Sequence, residues 1–72
     1  MPISDQPTPV SSSNIAAVWY KANALFVEFR SGGVYRYDGV SEVEADDLLN
    51  ASSPGGYFHR HIKDSYAGER VG

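Results

Sequence analysis

The chain has 72 residues, no cysteine and a formal net charge of −3. That length makes one domain without the interior for a deep pocket, and the missing cysteines remove disulfides, thiolate nucleophiles and Cys-ligated zinc. A net acidic chain has no whole-molecule attraction to phosphate, so any nucleic-acid contact has to be local.

Residues 1–13, "MPISDQPTPVSSS", hold three of the four prolines and four serines. They read as a disordered or loosely attached tail, which leaves residues 14–72 as a single domain. "NIAAVWYKANALFVEFRSGGVYRYDGV" follows, rich in β-branched and aromatic residues and broken at "KANA" and "RSGG". It predicts a three-stranded antiparallel meander. A two-residue loop at Ala22-Asn23, with Asn23 suited to positive φ, sets Tyr20 opposite Leu25, Val18 opposite Val27, Trp19 opposite Phe26 and Ala16 opposite Phe29. A three-residue loop at "SGG", with Gly33 left-handed, sets Phe29 opposite Tyr35, Val27 opposite Tyr37 and Glu28 opposite Arg36. One face then carries Val18, Tyr20, Leu25, Val27, Phe29, Tyr35 and Tyr37. The other carries Trp19, Phe26, Glu28, Arg30 and Arg36.

"SEVEADDLLNA" opens with a capping box, Ser41 as N-cap and Glu44 three residues on. Ala45, Leu48 and Leu49 share a stripe, and Val43 falls off it without explanation. In "SPGGYFHRHIKD", Ser53 caps a second helix and Pro54 fits its first position. The paired glycines weaken its first turn and allow a start as late as Tyr57. Phe58 and Ile62 face inward, while His59, Arg60 and Lys63 form a basic outer arc. The expected fold is α+β: the meander followed by two short helices packed on its tyrosine face.

"SSNIAAVWY", "VEFRSGGVYRYDGV", "LLNASS" and "YFHRHIK" resemble, in order, the KTSC domain, whose central Tyr-x-Tyr falls on Tyr35 and Tyr37. The resemblance covers about residues 12–71. Domains of that family stand at the C-terminus of some lysyl-tRNA synthetases and as free-standing small bacterial proteins, which implies RNA binding by association. It brings no catalytic residues. Three departures stand out: Trp19 where the family usually has a small residue, His59 where Asn is common, and "SYAGERV" where the family's ending is more basic, with Arg70 kept.

Two functional surfaces follow. Trp19 and Phe26 form an outer stacking platform for RNA, with Arg30 and Arg36 holding phosphates, or the same two rings serve a protein partner or a homodimer. His59, Arg60 and Lys63 form a basic patch for phosphate, or a solvated helix face. His59 and His61 point about 200° apart on a helix, so a shared metal is not expected; nor are a cofactor or an enzymatic activity. A non-catalytic module for RNA, tRNA-like or otherwise phosphate-bearing, is the expected function. A protein-interaction module is the alternative. No stretch is long and apolar enough to cross a membrane and no secretory signal is visible, so a cytoplasmic protein is expected.

Overall fold

In the computed structural model, which describes residues 3–72, the chain turns sharply at Ala22 and Asn23, with φ of 53° and 62°. Positive φ at both central residues matches the right-handed twist of a hairpin. It joins β2 (Ile15–Lys21) to β3 (Ala24–Phe29), which follow the short β1 (Thr8–Pro9). β4 (Val34–Asp38) and β5 (Gly68–Arg70) complete one antiparallel sheet in the order β1-β2-β3-β4-β5. The α+β class stands, with five strands rather than three.

The first hairpin has the expected register: Tyr20 faces Leu25, Val18 faces Val27 and Trp19 faces Phe26. A shift between Ile15 and Ala17 then puts Ile15, not Ala16, opposite Phe29. The second hairpin differs by two residues. Val27 faces Tyr35, Leu25 faces Tyr37 and Phe26 faces Arg36, so the expected Glu28–Arg36 pair does not form. Gly32, not Gly33, takes the positive φ, at 109°. The Phe29 N–H donates to the Gly33 carbonyl at 2.8 Å, which closes the turn one residue earlier. Strand side chains alternate with period two, so an even slip leaves every face unchanged. Val18, Leu25 and Val27 are fully buried, and Tyr20, Phe29 and Tyr35 are half-buried against the same core.

Residues 3–13, expected as a loose tail, pack along the sheet edge instead; Met1 and Pro2 lie outside the described residues. Ile3 is buried in the core, Thr8 sits opposite Val18 and Pro9 opposite Ala17. The Ser4 carbonyl accepts from the Tyr20 N–H at 2.9 Å, and the Ile3 N–H donates to the Asp46 carboxylate. Prolines are tolerated at an edge because one side of an edge strand needs no donor. Ile3 and Val10 supply the apolar anchors that a reading by composition overlooks.

The helices α1 (Glu42–Leu49) and α2 (Pro54–Tyr57) lie on the tyrosine face, and α2 runs on as a π-helical turn over Phe58–Ile62. The Ser41 Oγ accepts from the Glu44 N–H at 3.1 Å, as the capping motif predicts. Ala45 and Leu48 are buried, whereas Val43 is 70% exposed. Ser53 caps α2 through the Gly56 N–H, with Pro54 in the first turn, so the glycines do not delay the start. Phe58, Ile62, Leu48 and Leu25 close the core beneath the sheet.

Glu44 ties the helical layer together. Its carboxylate accepts from the Tyr57 hydroxyl at 2.6 Å and from the Tyr66 hydroxyl at 3.2 Å. The hydrogen bond to Glu44 is the main reason the Tyr57 phenol rises to about 12, with desolvation and the charges of Glu44 and Asp47 adding to it. The fold favours the neutral phenol. Its contribution is complete below the ordinary value of 10.0 and fades as pH climbs to about 12. The difference between phenolate absorbance titrations of the native chain and Tyr57→Phe should therefore show a group ionising near 12. A group ionising at the ordinary 10.0 would contradict the Glu44 contact.

Candidate functional site

Four aromatic rings on the inner face make a continuous edge-to-face network. Tyr35 meets Phe29 at 5.6 Å and 78°, Phe29 meets Phe58 at 5.4 Å and 72°, and Phe58 meets Tyr37 at 5.3 Å and 77°. The perpendicular arrangement suits the ring quadrupoles and holds each ring in place. Strand alternation sends Phe29, Tyr35 and Tyr37 to this face. The π-helical turn brings Phe58 down onto them, with its wider closure marked by the Lys63 N–H bonding the Phe58 carbonyl at 2.9 Å. Such turns recur at functional sites.

The helix does not cover the whole face. A groove of about 400 Å³ remains between β3–β4 and the π-helical turn, floored by these four rings. Asn14, Ser31, His59 and Lys63 form its rim. Phe29 and Tyr35 are half-buried, while Tyr37 and Phe58 are buried. Among the described residues neither the Tyr35 nor the Tyr37 hydroxyl has a protein hydrogen-bond partner, although both residues line the groove. Burial, and after it the neighbouring Tyr35 phenol, pushes the Tyr37 phenol above its ordinary value. Arg70 on β5 stands opposite Tyr35 and so shares its face.

Gly68 makes this arrangement possible. It pairs with Tyr37 across β4 and β5, and a Cβ at that position would lie 2.5 Å from Tyr37 Cε2 and 2.7 Å from Cζ. Only a residue without a side chain lets β5 pass over the ring.

The outer face carries a row that crosses four strands: Trp19, Phe26, Arg36 and Glu69. The Trp19 and Phe26 rings stack at 5.5 Å with 5° between their planes, as the first hairpin requires. Arg36 is already engaged. Its Nη2 donates to Glu69 Oε1 at 2.9 Å, and its Nε lies 3.3 Å from Asp38 Oδ1. One guanidinium between two carboxylates leaves this patch with no surplus positive charge for a phosphate.

The residues singled out in the sequence thus divide between separate surfaces. Trp19, Phe26 and Arg36 share the outer face. Arg30 belongs to neither cluster: it lies at the β3–β4 turn, where its Nε donates to the Ser12 carbonyl at 2.7 Å. His59 and Lys63 border the groove with Tyr35 and Tyr37. Arg60 is exposed on the same helical segment but runs back beside Gly56, off the groove. His61 turns away from His59, its ring 4.5 Å from that of Tyr57. Phe29 and Phe58 were legible as inward residues but not as a groove floor. Asn14 and Ser31 carry no local signal at all, since only the tertiary fold brings them to the rim.

The family model for the KTSC domain matches residues 11–66. The crystal structure of a KTSC domain protein from Yersinia pestis is 36% identical and superposes with a TM-score of 0.87, covering 93% of this chain and 97% of that one. Lysine--tRNA ligases from Trichormus variabilis and Nostoc punctiforme are 43% identical over 47 residues and 39% identical over 51 residues. Those matches take in 65% and 71% of this chain but 8% and 9% of the ligases, so the chain spans less than a tenth of the length of these curated relatives.

Proposed function

The chain belongs to the KTSC domain family, and from that premise we propose that it is a non-catalytic module that binds RNA through the phosphate backbone. One observation carries the reading: the second helical segment exposes His59, Arg60 and Lys63, and the Lys63 ammonium borders, with His59, a groove lined with aromatic rings. Cations placed beside stacking surfaces are how single-stranded nucleic acid is held without sequence readout. The −5 carried by residues 38–51 lies between β4 and the end of α1, and among the described residues no carboxylate lines the groove itself. Similarity to a segment of ligases whose substrate is tRNA points the same way. A cytoplasmic location fits that partner, and no described helix is long and apolar enough to cross a membrane.

The test is fluorescence anisotropy with a short labelled RNA over a salt series. Affinity should fall as salt rises, with a slope of about 0.7 per phosphate contacted on a single strand. The double variant Arg60→Ala/Lys63→Ala should weaken binding roughly tenfold at low salt and flatten that slope by about one to two. An affinity indifferent to salt, or unchanged in the double variant, refutes the backbone reading.

The outer face supports a second reading, a protein contact. Its stacked Trp19 and Phe26 adjoin a charge cluster in which Arg36 is offset by Asp38 and Glu69, an arrangement that favours a protein surface over phosphate. Sedimentation should then show a concentration-dependent dimer that Trp19→Ser abolishes. A monomer at millimolar concentration removes homodimerisation through this face.

A further inference from the structure

We propose that the groove on the tyrosine face seats a single unstacked nucleotide of an RNA strand, its base against Phe29 and Tyr35 and its phosphate at Lys63. This rests on the RNA reading and adds the strand form that the protein prefers. A volume of about 400 Å³ lies at the lower end of small-ligand sites, room for one nucleotide and far too little for a duplex. The floor is suited to stacking. Phe29 and Tyr35 remain partly exposed while their edge-to-face contacts keep them in position, so a base stacked on one ring meets the edge of the other without rearrangement.

The polar groups sort by chemistry. The Tyr35 and Tyr37 hydroxyls have no hydrogen-bond partner within the described protein. With the Asn14 amide and the Ser31 hydroxyl they offer both donors and acceptors to a base edge or a ribose. The positive charge stands on the helical rim, at Lys63, where a phosphate attached to that ribose would lie. An aliphatic side chain in the same groove would leave the phenols and the ammonium unused. Charge and hydrogen-bonding capacity together select an aromatic, polar, anionic occupant.

The experiment is amide chemical-shift mapping on the whole labelled chain, titrated at low salt with uridine monophosphate, a six-residue oligouridine and a blunt RNA duplex. Ser31, Tyr35 and His59 should shift with the monophosphate and the oligouridine, and Trp19 should not. The oligouridine should bind at least tenfold tighter than the duplex. Tyr35→Leu, which keeps an apolar side chain but removes the ring, should cost the oligouridine roughly tenfold and leave the duplex unchanged, as expected for one lost stacking contact. Tyr35→Phe should retain most of the affinity. Mapping on the native chain decides the matter even where a variant folds poorly. Equal affinity for duplex and single strand, or shifts confined to Arg60 and the outer arc, overturns the groove while leaving the backbone reading intact. No RNA binding of any kind overturns both. An acidic peptide that shifts the same amides at lower concentration than the oligouridine does also overturns the nucleotide assignment.

Discussion

Phe58→Ala is expected to remove about a quarter or more of the protein's stability at 25 °C. The side chain is 4% exposed and makes two of the three edge-to-face contacts in the aromatic network, to Phe29 and Tyr37. Truncating a buried phenylalanine costs about 3–5 kcal/mol, the lost transfer energy plus the cavity left behind. A chain of this length has a total stability of roughly 4–11 kcal/mol, at the usual 0.05–0.15 kcal/mol per residue. The loss therefore runs from about a quarter of the total to the whole of it. Urea titration followed by circular dichroism should show the midpoint fall by at least a quarter, or no folded baseline. Phe58→Leu, which fills most of the volume, should cost only about 1.5 kcal/mol. A shift below about 1 kcal/mol for the alanine variant would mean that the helical segment is not seated on the sheet as described.

Gly68→Val tests the other side of the same site. A first side-chain carbon at Gly68 already falls 2.5 Å from Tyr37 Cε2, and the two methyl groups of valine make the overlap worse. Either the Tyr37 ring leaves its place against Phe58 or β5 lifts off β4. Overpacking of this kind costs about 1–3 kcal/mol. The β4–β5 amides should exchange with solvent much faster than in the native chain, while those of β2 and β3 keep their relative protection. Valine normally favours a strand, so unchanged stability and exchange would show that β5 does not cross the Tyr37 ring. The RNA affinity should fall with the ring's displacement if the groove is the binding site.

The two halves of the sheet differ in how far the sequence reveals them. Asn23 marks a two-residue turn with unusual clarity, and the β2–β3 pairing follows from it to within one bulge near Ile15. The "RSGG" turn offers two glycines, and local chemistry does not choose between Gly32 and Gly33 for the left-handed position. The resulting slip of two residues misplaces the partners of Arg36, yet Tyr35 and Tyr37 still face the core because the slip is even. The edge strands were not legible. Thr8–Pro9 and Gly68–Arg70 are too short to show alternation, and each is a strand only because a longer neighbour supplies its hydrogen bonds. Gly68 shows the reason most clearly: its value depends on a ring 31 positions away in the chain.

The site was legible in parts and not as a whole. His59, Lys63, Tyr35 and Tyr37 could each be singled out, as could the Trp19–Phe26 pair. That Arg36 would be offset by Glu69 depends on β5 and was out of reach. The groove is a gap between a strand pair and a helical turn, and no periodicity encodes a gap.

The stretch from Phe58 to Ile62 winds more loosely than an α-helix, with the Lys63 N–H reaching back one residue further, to the Phe58 carbonyl. It therefore accommodates an extra residue without lengthening the segment in proportion. Dropping one amino acid here would let the coil tighten, and everything after the deletion would swivel around the axis. The ammonium now at the lip would swing to another bearing while Phe58 stayed anchored. Relatives that differ by one position in this stretch would then present another side chain to the same opening, so matching by spacing alone would mistake which residue borders the groove.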